Sequence, residues 1–266
     1  MKKWTDSEIL EFFKTMPNGE RLRRCRLGNP TVSELVHFVK DNGRSWLRDS
    51  TMEIGIGVIQ ACNRSARFRV LGYGSYLWSA CQPVNGMFFD EHFLDNVRQD
   101  YLDSEGKVEK IVFPICSALH WFAVCISFTE QCFWYAEGFN RKDPPSELAS
   151  LLNRFLEVKL HIHTTPWKCV RWTAPIQEDS HSCGPIALSV IERWYSKRDI
   201  EQWGQRTPHK NRLRYVRLAM QFHMGLDNTV EAKEGEGKQE QLRETTEEEG
   251  STTTEEVSTF LLPSLT

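Results

Sequence analysis

Apolar residues recur at helical spacing through the first part of the chain. In "TDSEILEFFKTM", Ile9, Leu10, Phe12, Phe13 and Met16 share one face, and Thr5 with Glu8 three residues later makes a capping box. "TVSELVHFVK" repeats the device with Thr31 and Glu34. "SWLRDSTMEIGIGVIQAC" predicts a third helix, capped by Asp49 or Ser50, with Met52, Ile56 and Ile59 facing inward. Gly55 and Gly57 weaken that helix by about 1 kcal/mol each relative to Ala. Residues 64–88 are turn-rich and aromatic, without a sustained period. "FDEHFLDNVRQDYL" returns to a helical stripe through Phe93, Leu94, Val97 and Tyr101.

The period then changes. "KIVFPI" is a short apolar run, and "HWFAVCISF" alternates with Phe122, Val124, Ile126 and Phe128 on one side. Thr129 and Glu130 form a turn, after which "QCFWYAEGF" runs back, so a β-hairpin is expected at the centre of a sheet. A helix capped by Ser146 follows, with Leu148, Leu151, Leu152, Phe155 and Leu156 on its buried stripe. "KCVRWTAPI" predicts one more strand, and Cys183 opens a helix carrying Ile186, Ala187, Val190, Ile191 and Trp194. "NRLRYVRLAMQFHM" closes the folded part as a basic amphipathic helix. Helices at both ends enclosing a sheet, with no internal repeat, indicate a single α+β domain over residues 1–226.

Composition sharpens the boundary. The net charge of −3 conceals an asymmetry: residues 227–266 hold 11 acidic and 3 basic side chains, which leaves the preceding part at +5. That acidic stretch, short of aromatics, cannot bury enough apolar surface to offset chain entropy and is expected to be disordered. Its last residues, "FLLPSLT", read as a terminus or as a short docking segment. "RLRRCRLGNP" is a basic loop, either solvated or able to touch nucleic acid or act as an import signal. No run approaches the roughly 18 apolar residues of a membrane span, and "MKKWTDSEILEFF" lacks the apolar core of a signal peptide. The eight cysteines are scattered without a CxxC pair, which favours reduced thiols in the nucleus or cytoplasm.

The candidate chemistry centres on "APIQEDSHSCGPIAL". Cys183 stands where a helix begins, and a helix N-terminus offers unpaired N–H groups and partial positive charge that favour a thiolate. Ser182 is a plausible N-cap, and Gly184 permits close backbone approach to a substrate. A base is needed, and His120 opens the first strand of the hairpin. With the turn at 129–130, residue 120 pairs near 139, so Glu137 on the returning strand lies within reach of the imidazole. A carboxylate there orients the ring and stabilises imidazolium. Gln177, six residues before Cys183, is a donor for a developing oxyanion beside the Cys183 N–H. Two other readings of the same residues compete. His161, His163, Cys169, His181 and Cys183 lie within 23 residues but lack the paired spacing of a structural zinc site. His181 is a rival base, although two residues from Cys183 its backbone directs it away.

"HW", an acid seventeen residues after the His, and then Gln-x5-Cys-Gly resemble the ubiquitin-like-protein cysteine proteases of the SUMO-specific type, relatives of adenovirus-type proteases. The resemblance spans about residues 46–226 and includes "WLRD", similar to the family's Trp-Leu-Asn-Asp. It implies a papain-like cysteine protease fold, with a mixed or antiparallel central sheet flanked by helices. It further implies His120 as general base, Glu137 as orienting acid, Cys183 as nucleophile and Gln177 as oxyanion donor, with no cofactor and no metal. Trp46 and Trp121 would sandwich the Gly-Gly tail of a ubiquitin-like modifier, and Asp49 would contact the modifier's surface. The partner is then such a modifier or its conjugates, rather than a membrane or a nucleic acid. Glu137 stands where SUMO proteases usually carry Asp, and "EDSHS" replaces the usual Gly-Tyr-Asp before the cysteine. A modifier-binding module without turnover, and an acyltransferase using the same triad, are the alternatives on that fold.

Overall fold

The structure, a computed structural model, describes residues 5–17, 31–63, 66, 69–139, 144–163, 166–196 and 207–223, all within one unit, Met1–Gly225. The basic loop 21–30 and the acidic stretch 227–266 lie outside the described residues. The helices are α1 (Asp6–Thr15), α2 (Val32–Val36), α3 (Lys40–Gly43), α4 (Asp49–Cys62), α5 (Tyr76–Ala80), α6 (Glu91–Asp103), α7 (Leu148–Val158), α8 (Cys183–Ser196) and α9 (Thr207–His223). The strands are β1 (Val70–Gly72), β2 (Pro83–Val84), β3 (Met87–Phe88), β4 (Lys110–Ser117), β5 (His120–Ser127), β6 (Cys132–Ala136) and β7 (Lys168–Arg171).

Five strands form one mixed sheet in the order β1-β4-β5-β6-β7. The central ladders β4/β5 and β5/β6 are antiparallel, while β1/β4 and β6/β7 are parallel. The α+β architecture with a mixed sheet flanked by helices is the one the sequence indicates. The central hairpin shows why. Every residue of β5 is buried, yet its alternation is real. Phe122, Val124 and Ile126 enter one core with the leucines of α7 and with Leu94 and Val97 of α6. Trp121, Ala123 and Cys125 enter the other, beneath α4, α8 and α9. A strand apolar on both faces belongs at the centre of a sheet covered on both sides. On α7, Leu148, Leu151, Leu152, Phe155 and Leu156 are all buried, each such side chain contributing roughly 1.5–3 kcal/mol.

Several local expectations are corrected. Ser146 does not cap α7: the cap position is Glu147, and the Ser146 hydroxyl donates to the Glu147 carboxylate. Asp49 is the first helical residue of α4 rather than its cap, which is Arg48. The Asp49 carboxylate instead accepts a hydrogen bond from Ser75 Oγ at 2.7 Å, tying α4 to the loop before α5. "KCVRWTAPI" keeps ladder pairing only over Lys168–Arg171. Residues 64–88, without a readable period, supply the parallel edge strand β1, the short α5 and the hairpin β2/β3. The two capping boxes do form, at Thr5/Glu8 and at Thr31/Glu34.

Gly55, a weakness by helix propensity, has a packing reason. A Cβ there would sit 2.5 Å from Leu188 Cδ1, so the glycine lets α4 and α8 cross closely. That crossing fixes the helix whose first residue is Cys183.

Candidate active site

The first half of the site is built by β-pairing. A two-residue turn joins β4 to β5, with Ser117 opposite His120. Both turn residues, Ala118 (φ 49°) and Leu119 (φ 59°), are left-handed, as a two-residue hairpin of this type demands. In the next ladder Ala123 faces Ala136, so Glu137 emerges immediately beyond β6 alongside the start of β5. His120 and Glu137 are both buried, and His120 Nε2 lies 3.3 Å from Glu137 Oε2. The same oxygen accepts the Phe139 N–H at 2.6 Å, while Arg171 Nη2 reaches Glu137 Oε1 at 3.4 Å. The imidazole is held on its faces as well. Phe139 stacks on it at 4.5 Å and Phe122 meets it edge-on at 5.0 Å. The carboxylate is thereby fixed at both oxygens and the ring in its plane.

The second half is a helix start. Cys183 is the first residue of α8 and is 2% exposed. Burial pushes its thiol above the ordinary value, opposed by the backbone amides of Trp121, Gly184 and Cys183 itself and by the charge of Arg212. The Trp121 amide places the sulfur against the residue that follows His120 on β5. The N-terminal amides of α8 favour the thiolate, while burial, the largest single influence, opposes it. Gly184 makes room for the core. Leu47 packs 3.0 Å from where its Cβ would be, so it admits a core leucine.

The approach to Cys183 is tied to both halves. The Gln177 N–H donates to the Gly138 carbonyl at 2.8 Å, and a Cβ on Gly138 would meet Gln177 at 2.7 Å. The strand end carrying Glu137 and the loop carrying Gln177 are thus in direct contact. The Gln177 side-chain amide donates to the Asp179 carbonyl at 2.6 Å. Asp179 organises the remainder: its carboxylate accepts the N–H groups of His181 and Ser182 at 2.8 and 2.7 Å and the Ser182 hydroxyl. These bonds hold the Asp179 carboxyl below the usual carboxylate range, against the opposing effect of burial, which is the largest single influence. The His181 ring is turned to Asp179, 3.6 Å away. Among the described residues no group of three or more His, Cys, Asp or Glu is placed to hold a metal.

The remaining expected positions surround the site. The Trp121 indole donates to the Leu47 carbonyl at 2.9 Å, bringing the segment of Trp46 beside β5. Trp121 is buried while Trp46 is 45% exposed. Asp49 and Cys183 both act on the Cys116 thiol, whose value is raised first by burial and then by those two charges. Sequence reasoning missed Phe139, Arg171, Asp179 and Arg212. Arg171 was within reach of the β reading, since it pairs with Tyr135, two residues before Glu137. Nothing in the sequence marks Arg212.

Residues 103–214 match the model of the Ulp1 protease family, C-terminal catalytic domain. Over this segment the chain is similar to the catalytic domain of Ulp1-family cysteine proteases. The matched segment runs from the end of α6 into α9 and contains His120, Glu137, Gln177 and Cys183. No curated protein matches this chain in sequence. Solved structures of the same fold include the SUMO protease Ulp1 with its catalytic cysteine oxidised to a sulfonic acid. It is 15% identical at a TM-score of 0.61, with 83% of this chain and 94% of that one covered. The Ulp1 protease domain in complex with Smt3, the yeast orthologue of SUMO, is 16% identical at a TM-score of 0.60, covering 82% and 93%. The Ulp1-like SUMO protease catalytic domain of Chaetomium thermophilum is 16% identical at 0.55, covering 82% and 88%. At these identities the structural likeness shows the shared fold. Glu137, where the resembled motif usually carries Asp, has a longer arm that is held by Arg171 and the Phe139 N–H.

Proposed function

We propose that the domain is a peptidase and isopeptidase that cleaves after the Gly-Gly terminus of a ubiquitin-like modifier of the SUMO type, with Cys183 as nucleophile. The observation that carries this reading is the buried His120–Glu137 pair at 3.3 Å, on the strand whose next amide, that of Trp121, meets the Cys183 sulfur. With Nε2 directed to Glu137, Nδ1 is the nitrogen that exchanges a proton with the thiol. Proton transfer leaves a thiolate and an imidazolium, the latter stabilised by the Glu137 carboxylate. Attack on the glycine carbonyl carbon pushes charge onto its oxygen, and the amides at the start of α8 with the second Gln177 amide proton are the donors for it. Collapse expels the amine, protonated by His120, and leaves a thioester that water resolves with His120 again acting as base. Trp46 and Trp121 frame the tail and Asp49 meets the modifier, as the sequence resemblance implies. No helix among the described residues is long and apolar enough to cross a membrane. The seven cysteines described are free thiols, which supports work in a reducing compartment, the nucleus or cytoplasm.

The test is a panel of ubiquitin-like proteins bearing C-terminal electrophiles, incubated with the full chain. Covalent capture of a SUMO-type probe, lost in Cys183→Ala, is expected. Equal labelling of Cys183→Ala removes Cys183 from the mechanism. Saturable binding of the modifier without capture or turnover makes the domain a binding module instead.

A further inference from the structure

Arg212 takes no part in the chemistry above, yet it heads the largest side chains fully shut from solvent. It projects from α9, its Cδ packed 3.2 Å from where a Cβ on Gly43 would lie. Its Nη2 donates to the His181 carbonyl at 2.8 Å, two residues before Cys183, while Nε and Nη1 have no hydrogen-bond partner among the described residues. A buried cation with most of its donors unspent is costly unless an anion lies nearby. Two groups meet that need, Cys183 and Asp179. The Asp179 carboxylate is already engaged by His181, Ser182 and the Ser182 hydroxyl, all within its own loop. The thiolate of Cys183 is therefore the second anion, beside the Asp179 carboxylate, that the guanidinium can stabilise, and the one whose own hydrogen-bond partners do not include a side chain of the approach loop.

We propose that Arg212 is a positioning residue that braces the 181–183 backbone through the His181 carbonyl and, by its buried charge, raises the thiolate fraction of Cys183. The other titratable groups around this end of α8 include Asp179 and His181 on its approach, His120 on β5 with Glu137 and the partly exposed Arg171 beyond it, Cys116 on β4 and Asp49 at the start of α4. None of these is a permanent buried cation. Burial acts against ionisation of Cys183, and Arg212 offsets part of that penalty. The proposal rests on Cys183 being the nucleophile, and its test needs no modifier, so it reads independently of substrate identity.

The experiment follows alkylation of Cys183 by iodoacetamide in the full chain against pH, quantified on the Cys183 peptide by mass spectrometry. Arg212→Gln, which retains a donor for His181 and drops the charge, is expected to raise the midpoint by about one pH unit, a roughly tenfold slower reaction near neutrality. Arg212→Lys keeps the midpoint near that of the wild type, and Arg217→Met on the same helix does not move it. A wild-type midpoint in a folded Arg212→Gln overturns the proposal. If the neutral variant does not fold, the lysine variant decides: an unchanged midpoint supports the role of charge, and a rise as large as about one unit overturns it. Should the wild-type chain capture no modifier probe, the functional reading fails while the alkylation profile still reports on Arg212.

Discussion

The two halves of the site are held in different ways. His120 sits opposite Ser117 on the β4/β5 ladder and Glu137 follows the last β5/β6 rung, Ala123 opposite Ala136, so antiparallel pairing brings together two residues seventeen apart in sequence. Cys183 is placed by the end of α8, whose seat depends on Leu188 over Gly55, Leu47 over Gly184, and Arg212 on the His181 carbonyl. One half is local and made of backbone ladders. The other gathers contacts from residues 43 to 212. Substitutions in the hairpin half should therefore damage chemistry while sparing the fold, and those around the helix half should disturb both.

The largest effect tests the first clause. His120→Ala should lower kcat/KM by about 10²–10⁴-fold, the usual worth of a positioned proton transfer, with a melting temperature close to wild type. The same variant also isolates the helix half. Without the imidazole, burial dominates the thiol and the Cys183 alkylation midpoint should lie above the ordinary cysteine value of about 8.5. The folded-state thiol is the raised one, so its stabilising contribution is complete below the unfolded-state value and is lost as pH rises above it. Cys183→Ala should accordingly flatten part of the alkaline fall in stability. A His120→Ala midpoint below 8.5 would mean that the helix start ionises the sulfur unaided.

Next comes the helix half, approached from a distance. Gly55→Ala gains about 1 kcal/mol of helix propensity but places a methyl 2.5 Å from Leu188 Cδ1, a fully buried side chain. Overpacking of this kind costs about 1–3 kcal/mol, and α8 has to shift to relieve it. Chemical denaturation should show net destabilisation, and Cys183 alkylation at fixed pH should change although Gly55 touches no reacting group. A stabilised variant with unaltered alkylation would show that the crossing does not set Cys183.

The same contrast explains what was legible beforehand. Register is arithmetic, so the partner of His120 follows from the turn position, and Glu137 could be named from spacing alone. Cys183 and Gln177 were legible as a motif, because a polar approach to a helix start is local. The contacts that seat them were not. Asp179 looked like one more polar loop residue, and Arg212 like one of several cations on an amphipathic helix. Burial of a particular arginine depends on the crossing of α9 over α3 and α8, which no short-range period encodes. Residues 64–88 failed for a related reason: β1 has three residues and β2 and β3 two each, too few for alternation to rise above composition. Caps were the least reliable detail, since Ser146 and Asp49 each found a side-chain partner other than the helix backbone.

A smaller effect probes how firmly the hairpin half fixes its acid. Arg171 is about a third exposed, so its pair with Glu137 Oε1 is worth only about 1 kcal/mol. Arg171→Met should reduce kcat about fivefold with little change in KM, and Arg171→Lys should recover part of the loss. A fall as large as that of His120→Ala would make the cation, rather than the ladder and the Phe139 N–H, the main support of the carboxylate.

The smallest effect falls on the turn that presents His120. Leu119 adopts φ 59° and is 71% exposed, so it carries left-handed strain without compensating burial. That conformation costs an L-residue roughly 1–2 kcal/mol, whereas glycine adopts it freely at an unfolded-state entropy cost of about 0.5–1 kcal/mol. Leu119→Gly should therefore stabilise the domain by under about 1 kcal/mol, a rise of a few degrees at most in melting temperature. The Cys183 alkylation rate at neutral pH should stay the same, because Ser117 opposite His120 is fixed by the β4/β5 ladder on either side of the residue changed. A higher melting temperature accompanied by slower alkylation would mean that the strained turn itself aims the imidazole, and the hairpin half would then depend on more than its register.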